Sequence, residues 1–174
     1  MTKLTPKKEK GIRFEIFLEQ LLKENGYQNV LRNVEYHKER YVFRQADVSY
    51  NLIKDGQLKL VVVEAKYSSK GGISYKLRGG EKEKNDQVIE KIDNVVDETY
   101  ERCEFIGADI SVLVTNKSFD DQIISAAAER NIKLLNGDDL SRIYNKLYGE
   151  GTIDNVIENI DLKKYNLNKN TIYI

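Results

Sequence analysis

The chain has 174 residues, 40% hydrophobic and 32% charged, with 28 Lys+Arg against 28 Asp+Glu and a single cysteine. That length supports one ordinary hydrophobic core and is short for two, so residues 1–174 read as a single domain. No apolar run nears the roughly 18 residues of a membrane span, the opening MTKLTPKKEKG lacks a signal-type apolar stretch, and Cys103 has no partner. A membrane protein, a disulfide scaffold and a cysteine metal cluster are thereby disfavoured, and the expectation is a soluble, cytoplasmic chain.

The neutral total hides an asymmetry. Residues 1–84 carry 18 Lys+Arg against 11 Asp+Glu, while residues 85–174 carry 10 against 17. A basic face suited to a polyanion can therefore sit on a chain of zero net charge, although scattered charges commonly do no more than solvate helices and loops.

From Lys7 to Asn25, Ile12, Phe14, Phe17, Leu18, Leu21 and Leu22 recur at helical spacing, and Gly26-Tyr27 follows as a stop. Residues 29–34 and 41–53 read as two strands, and Lys54-Asp55-Gly56-Gln57 supplies an Asp-Gly hairpin turn into a third, 58–67. The third strand holds the run LKLVVVEA, whose unbroken apolarity predicts a central strand covered on both faces. Residues 68–84 are rich in glycine, serine and charge and read as a loop. A helix over 85–104, a strand over 109–115, a helix over 118–131, a short strand over 132–135 and a helix from Asp139 to about Tyr148 follow. The core thus spans about 7–148, and a C-terminal extension, 149–174, carries weaker signals of one short helix and a terminal strand. Strands alternating with helices imply parallel crossovers, and the hairpin makes the sheet mixed. The predicted fold is α/β, a three-layer α/β/α sandwich around a central mixed β-sheet.

Glu64 and Lys66 lie two residues apart in the apolar strand, so both project from one face. An isolated Glu-x-Lys is ordinarily a plain ion pair at a strand exit. Here the Asp-Gly turn folds the strand carrying Asp47 back against Glu64. Two carboxylates about 4 Å apart repel by about 4 kcal/mol at an effective dielectric of 20, an arrangement that calls for a bridging cation. Hard oxygen donors suit Mg²⁺ or Mn²⁺. Asp55 competes as an acid, but the turn explains it. Lys70, Lys76, Arg78, Lys82 and Lys84, in the loop after this pair, lie in the basic half and could follow a nucleic-acid backbone, with DNA contact the expectation over mere solvation. His37, the only histidine, is expected at the surface, and Cys103 as a buried thiol. Tyr67 and Tyr75 flank the same strand and could stack on bases or touch phosphates.

The spacing Asp47…Glu64-Ala65-Lys66 resembles the PD-(D/E)xK nuclease motif, with Ala46 where the motif's name has proline. The segment GIRFEIFLEQLLKENGY, with Gly11, Phe14 and Glu15, resembles the first helix of Mrr-like restriction endonucleases. ADISVLVTNKSFDDQIISAAAERNIKLLNGDDL is similar to that family's closing strand–helix–strand–turn pattern, so the resemblance covers about residues 11–145. At the third motif position Glu64 is closer to archaeal Holliday-junction resolvases, since Mrr has Gln there. The resemblance implies a restriction-endonuclease-like fold and Mg²⁺- or Mn²⁺-dependent phosphodiester hydrolysis. Asp47, Glu64 and the Ala65 carbonyl would hold the metal, Lys66 would orient water or offset developing charge, Glu15 would add a supporting acid, and Gln87 matches a glutamine near the site in some branches.

The expected activity is a DNA endonuclease, restriction-type or selective for branched structures. A non-catalytic nucleic-acid-binding or scaffold module of the same fold is the alternative. One site cuts one strand, so a two-fold homodimer is expected, with its interface in the acidic second half.

Overall fold

The structure, a computed structural model, describes residues 3–77 and 92–174. The first helix, α1 (Pro6–Glu24), starts where Thr5 accepts the Lys8 N–H and Pro6 occupies the first turn. Three antiparallel strands follow: β1 (Gln28–Glu39), β2 (Val42–Lys54) and β3 (Gln57–Lys66). The β2–β3 turn places Asp55 and Gly56 at φ 52° and 75°, the left-handed geometry that the tight hairpin requires and that the Asp-Gly pair accommodates. Then come α2 (Val95–Ile106), β4 (Ile110–Thr115), α3 (Asp121–Glu129), β5 (Lys133–Leu135), α4 (Gly137–Tyr148), α5 (Ile153–Glu158), a 3-10 turn at 162–164, and β6 (Asn170–Tyr173).

The sheet order is β5-β4-β3-β2-β1-β6. β3–β4, β4–β5 and β1–β6 are parallel, so the sheet is mixed as expected. One face packs Phe14, Phe17, Leu18 and Leu21 of α1, with Leu140 of α4 and Ile153 and Ile157 of α5, against Val61 and Val63 of β3. The other face carries α2 and α3, whose Val95, Val96, Ile123 and Ala127 surround Leu113 of β4. Val62 and Ile106 meet on that same face nearer β1. The layers are α/β/α. Val61, Val62, Val63 and Glu64 are all buried in succession, the covered central strand that the run LKLVVVEA predicts. Among the described residues no helix is long and apolar enough to cross a membrane.

Three expectations need adjustment. β1 runs on to Glu39, past the strand predicted over 29–34, because its charged residues pair with β2. The helix predicted from residue 85 begins at Val95, and residues 85–91 lie outside the described part. Backbone bonds tie residues 93–95 to the preceding loop: Leu77 N–H to Asp93 O at 2.8 Å and Val95 N–H to Tyr75 O at 2.9 Å. Asn94 is extended there and caps α2 by accepting the Asp97 N–H. The C-terminal segment 149–174, read as an extension, is woven in. Its α5 supplies two core isoleucines and its β6 pairs with β1.

Candidate active site

Along β3, Val61 and Val63 face α1 while Val62 faces α2, so alternation turns Glu64 toward α2. On β2 the last residue paired with β3 is Val48, opposite Val63. Asp47, the next residue outward, is 2% exposed and accepts the Ala65 N–H through Oδ2 at 2.8 Å. The hairpin therefore brings Asp47 against the Glu64-Ala65-Lys66 segment, as its turn chemistry implies.

The sequence reading leaves out two residues that face Glu64 from α2. Arg102 Nη1 forms an ion pair with Glu64 Oε2, and Arg102 Nη2 lies 3.4 Å from Glu98 Oε1, one helical turn earlier. Lys66 Nζ is 3.5 Å from Glu64 Oε1 and 3.9 Å from Glu98 Oε1. The side chains of Glu64, Glu98 and Arg102 are 1%, 3% and 3% exposed, whereas Lys66 retains 17% and is the member that reaches solvent. Burial pulls the Arg102 guanidinium down, but Glu64, Glu98 and Asp47 together outweigh it and hold the group above its ordinary value. Arg102 is thus a fixed cation. A second pair anchors α2 from outside: Arg44 Nε lies 3.0 and 2.9 Å from the two Glu101 oxygens, and its guanidinium sits 4.4 Å over the Phe105 ring.

The sequence does carry a signal for Glu98 and Arg102. Val95, Glu98, Thr99, Arg102 and Ile106 recur at the helical spacing of a buried stripe, and all five are buried. Charges on such a stripe cost several kcal/mol each unless paired, so an acid and a base one turn apart there point to a site.

Among the described residues, the acids Asp47, Glu64 and Glu98 are set against the cations Lys66 and Arg102. Among the described residues no three His, Cys, Asp or Glu side chains are grouped to hold a metal by themselves. Mg²⁺ does not need that many, because it keeps several waters and takes one or two carboxylates. Asp47, Glu64 and the Ala65 carbonyl are hard oxygen donors of that kind, and the donor set fits a hard divalent cation.

Beside this cluster Lys66 opens into a cleft of about 140 Å³ lined by Lys7 of α1, Tyr67, Ser68 and Lys76. Lys10 Nζ donates to Ser69 Oγ at 3.0 Å and ties α1 to the same loop. Nothing in the sequence links residue 7 to residue 66, so Lys7 carries no sequence signal of its place in the cleft. Of the loop cations, Lys76 lines the cleft and Lys70 is exposed nearby. Arg78, Lys82, Lys84 and Gln87 lie outside the described residues. Glu15 is half-buried on α1, two turns beyond Lys7 on the same stripe, and neighbouring Phe14 packs its ring 5.8 Å from that of Tyr67. Tyr67 is thereby turned to packing more than to solvent. His37 is a correction: it is 6% exposed, stacked 4.6 Å from Phe43, with its ring nitrogens 3.0 Å from Glu35 Oε1 and 3.1 Å from Glu39 O. It belongs to the β1–β6 edge, where β-sheet pairing and Tyr173 cover it. Cys103 is half-buried.

Residues 6–144 match the sequence family described as restriction endonuclease, the Mrr catalytic domain. The chain belongs to this family. The match spans α1 through most of α4 and includes Asp47, Glu64, Lys66, Glu98 and Arg102. Membership of the restriction endonuclease family gives the chain a nuclease-type function, and domains of this kind generally use divalent metals and act on DNA. No curated protein matches the chain. Among solved structures it is similar to the protein of unknown function AF1548, at 20% identity and a TM-score of 0.50 over 91% of this chain and 73% of that one. It is also similar to protein VC1899 from Vibrio cholerae, at 19% identity and a TM-score of 0.48 over 77% of this chain and 31% of that one. The AF1548 likeness supports the fold alone.

Proposed function

We propose that the chain is a Mg²⁺- or Mn²⁺-dependent DNA endonuclease that hydrolyses phosphodiester bonds in duplex or branched DNA. The observation that carries this reading is the placing of Lys66, which joins the buried acids Asp47 and Glu64 to an open cleft flanked by Lys7 and Lys76. Phosphate can approach where the acids end. Lys7 and Lys76 attract the DNA backbone, Lys70 extends that attraction, and Arg78, Lys82 and Lys84, outside the described residues, are assigned to DNA contact by their charge and their place in the basic half of the sequence. Lys66 Nζ, held by Glu64 and Glu98, presents its remaining donor capacity to the attacking water or to a phosphate oxygen. Asp47 is steadied by the Ala65 N–H, which fixes one of its oxygens and orients the carboxylate. When bound by Asp47, Glu64 and the Ala65 carbonyl, a divalent ion supplies Lewis-acid polarisation of the phosphate and lowers the pKa of a ligated water. Glu15 is the supporting acid on α1, and Gln87 precedes α2.

The rival reading, a non-catalytic nucleic-acid-binding or scaffold module, draws on Arg102, which offsets Glu64 without any metal. Incubation of the protein with supercoiled plasmid, linear duplex and a four-way junction, each with Mg²⁺, Mn²⁺ or EDTA, separates the two. Cleavage with metal that is lost in EDTA and in Lys66→Ala is the expected result. DNA binding with no cleavage under any condition would leave the rival standing. The same plasmid reports the proposed two-fold homodimer, which linearises it in one binding event where a monomer leaves a nicked circle.

A further inference from the structure

Arg102 is the member of the cluster that the proposed hydrolysis does not use. It reaches the site from α2, not from the hairpin, and is paired with Glu64, one of the acids assigned to the metal. A guanidinium has five donors and no acceptor, so it cannot ligate a cation. It also repels one, and an ion entering at Glu64 competes with Arg102 for the same carboxylate. The exit is already built. Glu98 Oε1 stands 3.4 Å from Arg102 Nη2 on the same helix, so a second carboxylate is within reach by a side-chain movement that leaves α2 in place. Lys66 touches both acids, and its charge is shared between them throughout.

We propose that Arg102 is the resident counter-cation of the metal site: it neutralises Glu64 while the metal is absent and yields Glu64 to an incoming divalent cation by moving onto Glu98. The inference rests on the reading of Asp47 and Glu64 as metal-holding acids. Its consequence is that metal affinity is set by an exchange of cations. The ion binds more weakly than Asp47 and Glu64 alone would allow, and the buried acids are never left unpaired.

The test uses the full chain and Mn²⁺ alone, titrated by calorimetry and by the paramagnetic resonance of free Mn²⁺, without DNA. Arg102→Gln is expected to bind Mn²⁺ about tenfold or more tightly than wild type, about 1.4 kcal/mol or more. Glu98→Gln is expected to bind it severalfold more weakly, because Arg102 loses its destination. A measurement on the wild-type protein covers the case in which Arg102→Gln does not fold. In ¹⁵N spectra of arginine side chains, saturating Mg²⁺ should move the Arg102 Nε resonance and leave that of Arg44, paired with Glu101, in place. Wild-type metal binding with no gain in Arg102→Gln, no loss in Glu98→Gln, or an unmoved Arg102 resonance would overturn the exchange while sparing the metal site. No Mn²⁺ binding to wild type or Arg102→Gln alike would overturn both.

Discussion

Replacing Arg102 by Met in metal-free protein removes the guanidinium and keeps most of its volume. Glu64 and Glu98, 1% and 3% exposed, then lose the guanidinium, while Lys66 stays at 3.5 and 3.9 Å from them. One unit pair at about 3.4 Å and an effective dielectric of 20 attracts by about 5 kcal/mol, and methionine returns part of that through apolar packing. Losing one partner of a buried pair characteristically costs about 3–5 kcal/mol, in line with that figure. For a chain of this size each kcal/mol moves Tm by about 2–4 °C, so the expected loss is about 6–20 °C in EDTA. Adding Glu64→Gln to Arg102→Met removes the acid that Arg102 had offset, and the double variant should be more stable than Arg102→Met by about 1–3 kcal/mol. Urea unfolding with EDTA measures all four corners of the cycle. A loss below about 1 kcal/mol for Arg102→Met, or strict additivity of the two substitutions, would refute the claim that Arg102 compensates the buried acids.

Lys7→Glu combined with Lys76→Glu should lower DNA affinity and reduce the slope of log affinity against log salt by about 2, with stability changed by no more than about 0.5 kcal/mol, because both lysines are exposed. An unaltered slope in a filter-binding series would remove them from the DNA path. Tyr50 has its phenol pushed up to about 12 by burial and then by neighbouring Tyr27. The unfolded chain releases this proton near pH 10, before the folded one does. The contribution is therefore complete below pH 10 and lost as pH rises toward 12, so Tyr50→Phe should flatten the alkaline fall in Tm between those limits.

The elements whose signals are local were legible in the sequence. α1 follows from its apolar spacing, the β2–β3 hairpin from Asp55-Gly56, and the central place of β3 from its unbroken apolar run. From those the meeting of Asp47 with the Glu64-Ala65-Lys66 segment could be foreseen. What was missed depends on contacts distant in sequence. The start of α2 at Val95 follows bonds between residues 93–95 and residues 75–77, which helical periodicity does not encode. β6 pairs with a strand more than a hundred residues earlier, and its four residues carry little pattern of their own. Glu98 and Arg102 read as an ordinary solvated pair at i,i+4 unless their place on the Val95–Ile106 stripe is weighed. Lys7 enters the site through the packing of α1 over the exit of β3, which no spacing encodes.

The placing of the site follows from where the parallel part of the sheet ends. Lys66 closes β3 opposite Thr115, which closes β4, so both strands deliver their carboxyl ends to one crevice, the usual ligand position in open α/β sheets. Asn116, the next residue, clamps the chain leaving β3. Its Oδ1 accepts the Ser68 N–H at 2.7 Å, and its Nδ2 donates to the Ser68 carbonyl at 2.8 Å. The carbonyl of Asn116 is in turn approached so closely by Gly137 at the start of α4 that an added Cβ would lie 2.2 Å from it. A side chain there would push Asn116 away from Ser68 and release the segment that follows Lys66. Lys66 is thus held on one side by Glu64 and Glu98 and on the other by a backbone fixed through β4 and α4. The amine at the mouth of the cleft owes its position to all three layers of the fold.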